Sequence, residues 1–163
     1  MTCIGGLTVG GSDKVVSHIS FQYKGGGDAC KVKGGNIVLD HVAVYWGVDE
    51  TITFKGGNKV TLYKTICAEG LQYTGHKDGE HSQGIFMMGP KDAALIGCMV
   101  VNNALRNPRV DRGNCLVANH LVYNHGPGWD HKGSKIKSDK DLPGCNHCFT
   151  KVVSGYQGTV TLV

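Results

Sequence analysis

Short runs of alternating apolar and polar residues recur along this chain at a near-constant spacing. They read Lys14-Val15-Val16-Ser17-His18-Ile19, Asn36-Ile37-Val38-Leu39-Asp40-His41 and Asn58-Lys59-Val60-Thr61-Leu62-Tyr63, followed by Asp92-Ala93-Ala94-Leu95-Ile96 and Asn114-Cys115-Leu116-Val117-Ala118-Asn119. The runs start at 14, 36, 58, 92 and 114, so the steps are 22, 22, 34 and 22. The long step is one period plus twelve residues (34 − 22), which the polar stretch Gln72 to Gln83 accommodates as an inserted loop. A tetrapeptide repeats as well: Lys33-Gly34-Gly35-Asn36 recurs as Lys55-Gly56-Gly57-Asn58, and Lys151-Val152-Val153-Ser154 echoes the pattern once more near the end.

The runs are short, β-branched and bounded by Gly or Asn, which predicts strands rather than helices. A repeat near this length also occurs in leucine-rich horseshoes, but those need leucine at fixed places in every repeat, and this chain lacks that regularity. The pattern predicts an all-β chain, a right-handed single-stranded parallel β-helix of six or seven turns. Each turn is hydrogen-bonded to the next about 4.8 Å away. Ile19, Val38, Val60, Leu95 and Val117 are candidates for the interior, and Asn102, Asn103 and Asn124 for tight left-handed bends after strands.

Composition narrows this little further. At 163 residues the chain suits one domain, residues 1–163, with a real core. Twenty-five glycines against four prolines are turn-rich without a collagen period. No apolar run approaches a membrane span, and no leader pattern opens the chain. The net charge of +4 suits an acidic ligand without indicating nucleic acid. Seven cysteines are an odd number for a disulfide framework. Most sit in apolar runs as small hydrophobes, and only Cys145-Asn146-His147-Cys148 has metal-like spacing.

In a solenoid, positions one period apart stack. The position fourteen residues after each repeat start holds Asp28, Glu50, Gly84 (after subtracting the insertion) and Arg106, with Asp49 beside Glu50. Carboxylates on neighbouring turns repel unless a cation lies between them, and hard oxygen ligands suit Ca²⁺; solvated surface carboxylates are the plain alternative. Arg106-Asn107-Pro108-Arg109 offers two guanidinium forks that match carboxylates, so a polyanionic sugar acid is a natural partner, a basic surface loop being the alternative. His76, Lys77, His81 and Arg112 add candidate substrate contacts. Asp40-His41 reads as a structural polar pair, and Tyr45 and Trp46 as core filling or sugar-stacking rings.

These residues resemble a known family. Asn36 to His41, Trp46-Gly47-Val48-Asp49-Glu50-Thr51, Ala68-Glu69-Gly70-Leu71, His81-Ser82, Arg106-Asn107-Pro108-Arg109-Val110 and Val122-Tyr123-Asn124-His125-Gly126 follow, in order, the pattern of the pectate lyases of polysaccharide lyase family 1. The resemblance runs from about residue 14 to 128; residues 129–163 read as irregular, with one possible last turn. It implies a secreted monomeric enzyme that cleaves polygalacturonate by Ca²⁺-assisted β-elimination, without nucleic-acid or membrane partners. Arg106 matches the catalytic base, and Asp28, Asp49 and Glu50 fall on the turns that supply calcium ligands. Arg109, Lys77, His81 and His76 are then substrate contacts. An arginine base implies an alkaline optimum or a perturbed site.

Three departures stand beside this. The family usually carries a lysine one turn before the arginine, where this chain has His81-Ser82, and Lys77 or His81 is the possible substitute. Gly25-Gly26-Gly27 precedes Asp28 where the family has further aspartates. Family members are much longer, so the chain reads as a minimal or truncated member. The rival expectation is a catalytically weak or inactive β-helix that binds acidic polysaccharide; a structural β-helix module comes third.

Overall fold

A computed structural model describes residues 1–79, 81–111, 114–124, 154–155 and 159–162. The echo at 151–153, the basic stretch 132–140, Arg112, His125, Gly126, Cys145 and Cys148 lie outside them. Among the described residues there is no helix, and every strand pairing is parallel. One wall stacks six strands, Thr2–Ile4, Ser20–Gln22, Ala43–Tyr45, Ile66–Ala68, Met99–Val101 and Leu121–Tyr123. The other two walls begin fused in the long strands Leu7–Ser17 and Cys30–Asp40 and then separate. Glu50–Lys55, Gln83–Met88, Arg109–Asp111 and Ser154–Gly155 continue the second wall, and Val60–Tyr63, Ala93–Ile96, Asn114–Ala118 and Thr159–Leu162 the third. This is a parallel β-helix of six levels, the architecture expected from the repeat.

The register corrects the spacing. On the third wall Lys14 pairs with Ile37, Ile37 with Val60, and Ala93 with Cys115. Leu62 pairs with Leu95, so the steps there are 23, 23, 33 and 22 rather than 22, 22, 34 and 22. On the second wall Cys30 pairs with Ile52, a step of 22. Between these levels the difference is one residue inserted at the corner, where Gly56 takes a left-handed φ of 70°, whereas the first step is 23 on both walls, Leu7 pairing with Cys30. Aligning the two Lys-Gly-Gly-Asn segments hides that residue.

The slip changes which side chains face inward. Ile37 and Leu39 are buried, whereas Val38 between them is only half-buried, because alternate residues of a strand point to opposite faces. Val60, Leu95 and Val117 are buried as expected, and Ile19 packs partly against the core. Each fully buried aliphatic side chain contributes about 1.5–3 kcal/mol.

The corners are left-handed and in register. Asn102 and Asn124 have φ of 53° and 48°, level with Glu69 at 56°, and their amides form a ladder, Asn124 to Asn102 at 2.7 Å and Asn102 to Glu69 at 2.5 Å. Asn103 is different: it does not take a left-handed φ but is buried. It donates to the carbonyls of Cys67 and Val101 (2.9 and 3.0 Å) and accepts from Thr51 and the Gly70 amide. The corner between the second and third walls stacks Gly11, Gly34 and Gly57. A Cβ on Gly34, at φ +147°, would stand 1.6 Å from the Gly11 carbonyl oxygen. Gly34→Ala is therefore expected to cost on the order of 3 kcal/mol, read as a lower urea midpoint with the slope unchanged.

Cys30, Cys67, Cys98 and Cys115 are buried free thiols in the stack. Burial pushes Cys30 and Cys115 up to about 12 and Cys98 to about 11, from an ordinary 9.0. Raised folded values mean that the unfolded chain loses these protons first. The thiols' contribution to stability is complete below pH 9 and lost as pH rises towards 11–12, by about 1.4 kcal/mol per pH unit for each thiol. Urea midpoints measured upward from pH 9 should fall, and Cys115→Ala should flatten the fall.

Candidate active site

The second wall carries the chemistry. Its inward residues, Cys30, Val32, Ile52, Phe54, Ile85 and Met87, are buried. The residues between them, Lys31, Thr53, Phe86 and Arg109, pair in one column on the opposite face. Asp28, Asp49 and Glu50 lie where the chain enters this wall. Glu50 pairs with Gln83, and Gln83 bridges to Leu105, so Arg106 stands one residue past the column rather than in it, as does Gly84. At Arg106 the backbone turns left-handed, φ 56°, ahead of the cis Asn107-Pro108 bond. Its carbonyl accepts from the Ile85 amide at 2.6 Å, and its guanidinium donates to the Glu50 carboxylate.

The three carboxylates converge. Asp28 and Glu50 are only 7% and 5% exposed, and an oxygen from each of Asp28, Asp49 and Glu50 lies within 4.8 Å of the others. Charges gathered this way need compensation. Arg106 pairs with Glu50, Lys31 Nζ stands 4.0 Å from Asp28 Oδ2, and His81 Nε2 lies 3.0 Å from Asp49 Oδ1. Oxygens on opposite sides of one Ca²⁺ are about 4.8 Å apart at coordination distances near 2.4 Å. The trio therefore fits a calcium ion in donor type and spacing.

Arg106 and Arg109 flank the Phe86 ring, their guanidinium carbons 4.7 and 5.0 Å from its centroid. Burial first, then repulsion from Arg109, lower the Arg106 pKa below the ordinary arginine value, while Asp49 and Asp28 pull it back up. Carboxylates, arginine and ring line one open cleft of about 470 Å³, with Lys55 and Asp78 also on its wall.

The long step is a loop over residues 69–79 and 81–82; Gln83, expected as its last residue, opens a strand and is buried. The loop brings His76 and His81 against Asp49, beside the carboxylates. Lys77 is exposed on it, while its neighbour Asp78 faces the cleft. Asp40 and His41 form an outer polar pair, 2.5 Å apart, and Tyr45 and Trp46 are half-buried.

No family model matches the chain. It is 33% identical over 155 residues to a protein of Emericella nidulans named "Probable pectate lyase C", a match covering 91% of this chain and 33% of that protein. Proteins of the same name from Aspergillus flavus and Neosartorya fischeri are 33% and 31% identical over 71% and 79% of the chain. The chain belongs with the pectate lyases. The matches span 27–33% of the length of these relatives.

Within that family frame, Lys55, Phe86 and Asp78 line the cleft and Lys31 stands beside Asp28, none of them singled out by the repeat. Lys31, Lys55 and Phe86 were findable by strand alternation, once Cys30, Val32, Phe54 and Ile85 are known to point inward. Asp78 sits in the loop, where no period applies.

Proposed function

We propose that this chain cleaves polygalacturonate by β-elimination, with Arg106 as the base and with Asp28, Asp49 and Glu50 holding Ca²⁺. The observation that carries the reading is the meeting of three close carboxylates with a half-buried arginine of lowered pKa in one cleft. Bound there, Ca²⁺ would supply positive charge to the uronate carboxylate and so acidify the adjacent C5 proton. Arg106 takes that proton; the electron pair forms the C4–C5 double bond, the C4–O bond breaks, and the departing oxygen takes up a proton. Arg109 holds a neighbouring carboxylate by its planar fork, and Lys31 and Lys55 add positive charge along the same wall. Partial burial of Arg106 strengthens its own contacts. The family resemblance also supports action outside the cell, where burial protects the free thiols from oxidation.

The second reading, a β-helix that binds acidic polysaccharide without cleaving it, is favoured by one observation: Arg106 is paired with Glu50, which stabilises its protonated form. The test is incubation with polygalacturonate and Ca²⁺ at alkaline pH, following the ultraviolet absorbance of the unsaturated uronate. Growth of that signal supports the lyase. Saturable binding without it supports the second reading, and neither binding nor signal removes both.

A further inference from the structure

The inserted loop builds a second cluster on Asp49, and its two histidines are not metal ligands in the lyase reading. His76 and His81 stack, their ring centroids 4.0 Å apart and their planes 22° from parallel. Both aim Nε2 at one carboxylate: His81 Nε2 is 3.0 Å from Asp49 Oδ1 and His76 Nε2 is 3.8 Å from Asp49 Oδ2. Both imidazole side chains are nearly hidden, 8% and 7% exposed. One ligand atom from each of the three residues lies within 4.8 Å of the others. Two hidden imidazoles need a common electrophile more than they need each other. A proton on one of them serves, and so does a metal ion.

We propose that Asp49, His76 and His81 form a binding site for a divalent transition metal ion, Zn²⁺ being the natural occupant. The donor set decides the class. Two imidazole nitrogens and one carboxylate suit Zn²⁺, whereas Ca²⁺ and Mg²⁺ want oxygen alone. Three protein ligands with a position left open is the pattern of an accessible zinc site rather than a closed structural one. Ligand atoms about 2.0–2.1 Å from a tetrahedral ion lie about 3.3 Å apart. The cluster reaches this by closing the loop slightly onto the wall, since Asp49 precedes a strand and the histidines ride on the loop.

His76 has the outer support such a ligand uses. Without metal, the Asp78 amide donates to His76 Nδ1 at 3.2 Å, which leaves the ring proton on Nε2, facing Asp49. A metal at Nε2 requires the ring proton on Nδ1, where the hydrogen bond from the Asp78 amide would give way to one donated to the Asp78 carboxylate, whose Oδ2 lies 3.9 Å away.

The test is titration of the metal-free full chain with Co²⁺, a spectroscopic stand-in for Zn²⁺, with no calcium present, so the result does not depend on the calcium reading or on catalysis. The Cys145→Ser/Cys148→Ser background removes the other metal-like motif. Expected are visible d–d bands that saturate at one ion per chain, are displaced by Zn²⁺ and are not displaced by Ca²⁺. His76→Gln and His81→Gln should each weaken binding at least ten-fold, with circular dichroism showing the β-helix intact. Because both substitutions sit in a loop outside the coil, loss of binding with retained fold is informative. Absence of saturable bands, or saturation unchanged in both histidine variants, overturns the site.

Discussion

Replacing Arg106 by alanine is expected to lower kcat on polygalacturonate by about 100- to 10,000-fold, the range that a positioned general base contributes, and Arg106→Lys is not expected to restore it. Lysine keeps the charge but loses the planar fork that can hold a carboxylate while presenting a nitrogen to C5. It also loses the flat face that lies over Phe86. The pH profile separates chemistry from structure. A base must be deprotonated, so activity rises with pH towards the Arg106 pKa, which burial and Arg109 hold below the ordinary arginine value. Arg109→Ala removes one of those two pressures, so the alkaline limb should move to higher pH while KM rises more than kcat falls. A merely structural Arg109 would change stability and leave the limb where it was. Near wild-type kcat in either Arg106 variant would strip the lyase reading of its base. The upper end of the profile has a separate limit, because the buried thiols of Cys30, Cys98 and Cys115 withdraw stability above pH 9.

The fold was legible because a solenoid writes its period into the chain: each turn must present the same inward pair to the same neighbour. The period was readable only to within a residue, since a glycine bulge such as Gly56 adds length without adding a side chain to either face. That single residue moved Val38 out of the core, and a long step of 33 rather than 34 on the second wall moved Arg106 out of the carboxylate column. Asp28 and Glu50 survived the slip because both lie on the second wall, before the bulge, where the step is 22. Arg106 still reaches Glu50 because its own left-handed φ redirects a long side chain. The loop's existence followed from the long step, but not the convergence of His76 and His81 on Asp49, since a loop outside the coil has no period to read. Asn103 looked like its corner neighbour Asn102, and only the interior hydrogen bonds distinguish them.

Thorough chelation of calcium should abolish lyase activity, by about 100-fold or more, with recovery on adding Ca²⁺ but not Mg²⁺. Three carboxylates are few for an ion that takes six to eight oxygens, so the remaining donors must come from water and from the uronate itself. Binding of ion and substrate is then reciprocal: the Ca²⁺ concentration for half-maximal activity should fall as polygalacturonate rises. Mg²⁺ fails because it demands a compact octahedron and surrenders its waters reluctantly. Glu50→Gln probes the site from the other side. It removes a proposed calcium ligand and the carboxylate partner of Arg106 together, so it should raise the calcium requirement. It should also leave Arg106 with less support for its protonated form, moving the alkaline limb to lower pH. A variant of Asp28, which would supply a calcium oxygen but holds no direct bond to Arg106, should raise the calcium requirement with a smaller effect on the limb. Full activity in chelator, or a calcium requirement indifferent to substrate concentration, would take the ion out of the mechanism and leave the carboxylates as partners for Arg106, Lys31 and His81 alone.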